Sequence, residues 1–220
     1  MKPLLVGMIL PVALVSVLLV IALSGCTTMP PTAPAGRAAE AKVTTANAQV
    51  DLPHYSLVVP PDRGWYLRKG DERVEGIRVE QRMGPPVNAT FLMQFARVDV
   101  FNERKAWSAQ QVADEYRGLE KRIMIEQGVN KGQYRLGDVV MGDEQVGENR
   151  LYTMKYATSS RTQNQRAALY LYFPREENHS YFILAHYSET LTPGTAIAGA
   201  LFDGIRDDFL HTLKSLRVSQ

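Results

Sequence analysis

The chain has 220 residues, 25 basic and 23 acidic side chains, a formal net charge of +2 and one cysteine. So balanced a charge forces no basic face and argues against nucleic acid as a partner. A single cysteine excludes an internal disulfide framework, so any folded part must be held by an apolar core.

Met1 and Lys2 are followed by Pro3 to Leu23, a run without a charged residue that closes on "LSGC", Leu23-Ser24-Gly25-Cys26. Two readings compete. A spanning helix needs roughly 20 apolar residues, and this run is long enough. A secretory signal has a basic start, an apolar middle and small residues at its cut, and the ending favours that reading. Lys2 keeps the N-terminal side in the cytoplasm under either one, so the rest of the chain lies outside the inner membrane. "LSGC" resembles the lipobox of bacterial lipoproteins. The resemblance implies a signal peptide over 1–25, a diacylglyceryl group on the Cys26 sulfur, cleavage before Cys26 and acylation of the new amine. Thr27 follows the cysteine, where the family commonly carries aspartate for retention at the inner membrane. Its presence implies transfer to the outer membrane, periplasmic side, if the host is Gram-negative; otherwise the anchor lies on the extracytoplasmic face of the cell membrane.

Residues 26–50 are rich in Ala, Thr and Pro and lack aromatic side chains. Such a segment buries too little apolar surface to offset its ordering entropy, and a disordered tether is expected. Residues 51–220 have globular composition and a length that suits one domain.

Within that domain "YSLVV" (Tyr55 to Val59) reads as a short strand stopped by Pro60-Pro61, and "GWYLRK" as the next. "VEGIRVEQR" alternates at Ile77 and Val79. "TFLMQFARVDV" puts Phe91, Met93 and Phe95 on one face of a strand. Ser108 with Gln111 has capping-box spacing for a helix. Val112, Tyr116, Leu119 and Ile123 give that helix an apolar stripe, and Gly128 is placed to end it. Four strands follow: "YRLGDVVM", "NRLYTMKYATS", "RAALYLYFP" and "SYFILAHYS". A last helix is expected from Ala198 to Leu216, with Leu201, Ile205, Phe209 and Leu213 every four residues.

Strands, helix, strands, helix predict an α+β class: a largely antiparallel sheet of about seven or eight strands covered by two long helices. The opening "HYSLVVPPDRGW", the hairpin "MGDEQVGENRLYTMKYA" and the closing "LFDGIRDDFLHTLKSLRV" resemble the PsbP-like fold. That resemblance implies a binding or assembly factor and carries over no site residue.

Chemistry is sparse. His54, His179, His186 and His211 are scattered, and the odd spacing of His179 and His186 puts them on opposite faces of one strand, which argues against a shared metal. Ser188 and His186 share a face, but no third member of a triad accompanies them and no G-x-S-x-G occurs. The acidic neighbours Asp143-Glu144, Glu176-Glu177 and Asp207-Asp208 fit solvated surfaces better than convergent carboxylates. Gly132, Gly137, Gly142 and Gly147 recur every five residues, over too short a span for a solenoid, and read as turn glycines of a hairpin. No phosphate-cradle motif follows any glycine. The sequons at Asn88 and Asn178 are short enough to arise by chance. Tyr152 and Tyr156 share one face; Tyr170 and Tyr172 share another, opposite Leu169, Leu171 and Phe173. These tyrosines either pack beneath a helix or offer a binding face.

The expected function is therefore a non-catalytic binding or assembly module of the cell envelope. It is held at the membrane through lipid on Cys26, with an envelope protein as partner and no cofactor beyond that lipid. A carrier or sensor of a small apolar ligand and a cell-envelope hydrolase are the alternatives.

Overall fold

The structure, a computed structural model, describes residues 41–42, 49–59, 66–69, 76–83, 89–174, 180–194 and 199–218. The chain divides into two units, Met1–Arg37 and Ala38–Gln220. The first lies outside the described residues, as do the expected signal peptide, Cys26, Glu176-Glu177, His179 and both sequon asparagines.

The second unit is α+β and antiparallel. Its strands are β1 (Ala41–Lys42), β2 (Gln49–Asp51), β3 (Tyr55–Val58), β4 (Tyr66–Lys69), β5 (Gly76–Met83), β6 (Ala89–Asp99), β7 (Arg135–Val146), β8 (Asn149–Ser159), β9 (Asn164–Tyr172), β10 (Tyr181–Leu191) and β11 (Arg217–Val218). Its helices are α1 (Ala109–Ile123) and α2 (Gly199–Lys214). An eight-stranded sheet runs β1-β4-β5-β6-β10-β9-β8-β7, and a three-stranded sheet runs β11-β3-β2. β1 and β2 take residues from the stretch expected as tether: Ala41 and Lys42 pair with β4, and Gln49 and Val50 with β3.

Period-two alternation sorts the large sheet into two faces. Phe91, Met93 and Phe95 on β6 share a face with Ile183, Ala185 and Tyr187 on β10 and Tyr170 on β9, and all are buried. Helix α2 covers this face through Ile205, Phe209 and Leu213. The Phe209 ring sits 5.7 Å from Phe95, 5.6 Å from Tyr170 and 5.2 Å from Tyr187. The small sheet closes the same core. Tyr55 donates its hydroxyl to Phe95 O at 3.1 Å, and Ser215 Oγ, just past α2, accepts from Val58 N at 2.7 Å.

The opposite face carries Leu169 and Leu171 on β9, Phe182 and Leu184 on β10, and Tyr152 and Met154 on β8, all buried. Helix α1 lies on it, with Tyr116 edge-on to Phe182 at 5.3 Å. α1 starts where the sequence places it: Ser108 Oγ accepts from Gln111 N, and Gln111 Oε1 accepts from Ser108 N. Its fully buried positions are Ala109, Val112, Ala113 and Arg117. The expected stripe is thus turned, with Tyr116, Leu119 and Ile123 half-buried. The reason is that small alanines let the helix approach the sheet closely, while the larger residues fill the flank.

Gly128 does not end α1. The helix passes into a π-helical turn, Met124–Val129, with Gly128 buried inside it. A Cβ there would stand 1.9 Å from Tyr134 Cζ, so the bare backbone admits the ring, whose hydroxyl donates to Met124 O at 3.1 Å. Gly128→Ala must swing that ring out. The expected cost is about 1–2 kcal/mol, read as a lower urea midpoint at unchanged slope; an unmoved midpoint would show that the ring is not held.

Candidate functional site

Ser188 and His186 share the α1 face of β10, as alternation requires, and Ser188 is 5% exposed. His54 lies on the loop after β2, with both ring nitrogens 3.0–3.1 Å from Arg97 Nη1. His211 is exposed on α2. Among the described residues no group of three or more His, Cys, Asp and Glu is placed to hold a metal. Asp143 and Glu144 diverge to opposite faces of β7, where Arg150 Nη2 holds the first at 2.9 Å and Lys155 Nζ pairs with the second. Asp207 is exposed on α2 and Asp208 half-buried.

The glycine beat separates. Gly132 and Gly147 adopt φ of +67° and +63° in turns, and Gly147 opens the two-residue connection from β7 to β8. Gly137 and Gly142 instead lie within β7, which runs on to Val146. The turn reading fails for these two. The tyrosines take the packed alternative: Tyr170, Tyr172, Tyr181 and Tyr187 lie on the α2 face, Tyr152 and Tyr156 on the α1 face. Burial pushes the Tyr170 hydroxyl up to about 12 and raises Tyr156 and Tyr187 further. Phenols held neutral in this way act as hydrogen-bond donors, as Tyr187 does to Glu189 Oε2 at 3.3 Å. On the other face burial raises the Glu120 carboxyl, opposed by the neighbouring Tyr116 hydroxyl. The two carboxyls stand on opposite faces of the sheet, so they do not converge on one bond.

Large apolar side chains exposed among the described residues include Phe101, Trp107, Val140 and Met141, to which the sequence reading gives no binding role. Two features stand out. The first is the edge of the large sheet. β7 spans 12 residues, and among the described residues no strand lies beyond it. Val140 is 61% exposed and Met141 40% exposed, one on each face at mid-strand. A bulge between Leu136 and Val139 bends the first half of the strand. The regular part is held from beneath by Arg117, whose Nη1 donates to Gly142 O and Thr153 O at 2.9 Å each.

The second is the connection from β6 to α1. Arg104 N donates to Phe101 O at 2.9 Å and Trp107 N to Arg104 O at 3.0 Å, two successive tight turns. Residues three apart eclipse in such a geometry. Phe101, Arg104 and Trp107 therefore form a column, with the guanidinium carbon 5.4 Å from the Phe101 ring and 5.8 Å from the Trp107 ring. Phe101 is 45% and Trp107 37% exposed.

No family model matches the chain, and no curated protein matches it. Similar solved structures exist. One is a chain from Bacteroides thetaiotaomicron VPI-5482, at 11% identity and TM-score 0.39, covering 76% of this chain and 45% of its own length. Another is LpqN, involved in cell envelope biogenesis of Mycobacterium tuberculosis, at 10% identity and TM-score 0.44, covering 79% and 90%. A third is the cyanobacterial PsbP (CyanoP) of Synechocystis sp. PCC 6803, at 14% identity and TM-score 0.36, covering 90% and 99%. At these scores the likeness assigns neither family nor function. Among the described residues no helix is long and apolar enough to cross a membrane.

Proposed function

We propose that the chain is a non-catalytic binding module of the cell envelope, anchored through lipid on Cys26 to the periplasmic side of the outer membrane of a Gram-negative host. Its folded domain takes an extended segment of a partner protein along β7. The observation that carries the binding role is the edge strand β7, beyond which no strand lies among the described residues, with Val140 and Met141 exposed at its centre. An edge strand presents unpaired N–H and C=O groups, which proteins commonly blunt with charge, proline or a cover. Here the bulge guards the first half, and the carboxylates of the second half are neutralised by Arg150 and Lys155. What remains suits strand addition: main-chain hydrogen bonds supply affinity, and apolar contacts on alternate faces supply selectivity. The anchor rests on the sequence around Cys26.

The test is crosslinking and recovery from intact envelopes, comparing the native chain with Val140→Lys and Met141→Lys. Both sites are exposed, so each change is expected to move stability by no more than about 0.5 kcal/mol. Each places a charge where an added strand must pack, and the specifically recovered protein is expected to disappear. Equal recovery with the lysine variants would reject the edge as the binding surface.

A further inference from the structure

Gly142 lies in the regular part of β7, beyond the bulge between Leu136 and Val139. Two observations fix the phase of the ladder there. Gly147-Glu148 is a two-residue turn, and such a turn is closed by hydrogen bonds across its ends, here Val146 and Asn149. The even positions of β7 keep that phase back to Gly142, which faces Thr153. Independently, Arg117 Nη1 reaches Gly142 O and Thr153 O at 2.9 Å each. One nitrogen meets both carbonyls only where they turn toward each other, as in a hydrogen-bonded pair. Gly142 and Glu144 therefore turn their main-chain groups to β8, while Met141, Asp143 and Gln145 direct theirs outward.

Side chains alternate across the sheet. Val140, Gly142 and Glu144 stand on the α2 face, beside Lys155, Thr153 and Leu151 of β8. At Gly142 that face has a gap. A Cβ there would meet, among the described residues, only Thr153 Oγ1, at 3.8 Å. Thr153 is buried and floors the gap, and the exposed Val140 forms one side. Gly142 does not adopt a positive φ, so neither conformation nor packing among the described residues calls for glycine. A glycine inside a strand weakens it, and it marks a bulge, a bend or a close approach by something else.

We infer that Gly142 is the specificity notch of the β7 edge and takes an aromatic side chain of the added strand. This rests on the strand-addition reading of β7 and names what that strand carries. Main-chain bonds to Met141 and Asp143 flank the position opposite Gly142, a non-hydrogen-bonded pair, where side chains approach most closely. An aromatic ring at that position lies over the bare glycine and against Val140, the cross-strand cover by which edge glycines are stabilised. Thr153, the neighbour on β8, is too small to give that cover. The occupant is a segment of another protein. β7 holds no aromatic residue, so a second copy paired edge to edge brings none. Asp143 and Glu144 are held by Arg150 and Lys155, whereas Asp138 has no ion pair among the described residues. A basic residue therefore suits the segment toward the Asp138 end.

The experiment selects a displayed library of random linear peptides against the purified full chain in detergent. The selected peptides are then measured by fluorescence anisotropy against variants. Edge binders are those lost on Val140→Lys, and they are expected to share an aromatic residue at one fixed position. Gly142→Val and the smaller Gly142→Ala place their methyl groups in open space, so neither is expected to lower the urea midpoint. Gly142→Val is expected to weaken the edge binders about 30-fold, the size of one buried anchor. Trimming the aromatic residue of the peptide to alanine is expected to weaken binding to the native chain by a similar factor. The trimmed peptide is expected to bind Gly142→Val as well as it binds the native chain, which a damaged fold would not allow. Edge binders that tolerate Gly142→Val, or that share no aromatic position, overturn the notch and leave the edge standing. A library that yields no peptide lost on Val140→Lys overturns both.

Discussion

Arg117→Ala is expected to lower the unfolding free energy by about 3–5 kcal/mol, the size seen when one member of a buried charged network is removed. Arg117 is 3% exposed at the α1–sheet interface. Its Nη1 serves Gly142 O and Thr153 O, carbonyls on two neighbouring strands, and its Nη2 lies 2.5 Å from Asp114 Oδ1. Hydrogen bonds from a charged donor contribute about 1.5–3 kcal/mol each, and buried acceptors left without one incur the desolvation cost in full. Asp114 accounts for little of this, because it is 57% exposed and water can replace its partner. Asp114→Asn is accordingly expected to cost less than about 1 kcal/mol. Arg117→Met keeps the stem and deletes the donors, so its loss beyond that of Asp114→Asn reads the two carbonyl bonds. Urea unfolding followed by far-UV circular dichroism reads all three. An Arg117→Ala loss no larger than that of Asp114→Asn would mean that the carbonyls find other donors.

That prediction could not have come from the sequence, for a physical reason. Periodicity ranks residues by apolarity, and a charged side chain is read as facing water. Val112 and Tyr116 fixed the existence of α1, but its rotation on the sheet was set by Ala109 and Ala113, which are small, and by Arg117, which finds two carbonyls. Most strands were legible because burial on one face imposes alternation; Phe91, Met93 and Phe95 are the clearest case, and all three are buried. β7 was legible only to Met141. Its second half carries Gly142, Asp143 and Glu144, a composition that elsewhere makes a turn, and pairing to β8 overrides it. β1 has two residues, too few for any period.

The candidate surfaces were hidden for a different reason. "FNERKAW" has a period of three over seven residues, which neither a strand nor an α-helix would use. Only the tight turns that stack residues 101, 104 and 107 reveal a column. Conversely, the tyrosines that sequence singled out are consumed by packing against α1 and α2. Aromatic content signals burial more often than binding; exposure decides between them, and exposure is not written in the sequence.

Cys26→Ser is expected to abolish membrane anchoring by lipid altogether. The expected reaction joins a diacylglyceryl carbon of a donor phospholipid to sulfur as that carbon's bond to the phosphate oxygen breaks, the phosphate headgroup leaves and the thiol proton is lost, and the attacking species is a thiolate or nascent thiolate. A serine hydroxyl is far less nucleophilic at neutral pH without an adjacent general base, and lipid transfer should fail. In bacterial lipoproteins the peptidase acts on the lipidated precursor, so, if the proposed anchor holds, residues 1–25 should be retained and the chain should stay at the inner membrane through Pro3–Leu23. No other cysteine is present to substitute. Each acyl CH₂ contributes about 0.8 kcal/mol to membrane binding, so the acylated native chain should resist extraction by salt and alkali. The folded unit should be indifferent to the change, because it begins at Ala38 and holds its core within residues 55–216. Its urea midpoint is therefore expected to match that of the native chain, which separates an anchoring defect from a folding one. Mass spectrometry of the native N-terminus decides the chemistry. A chain beginning at an acylated Cys26 supports it; an intact Met1 with a free thiol would make the apolar run a plain membrane anchor and would remove the outer-membrane placement with it.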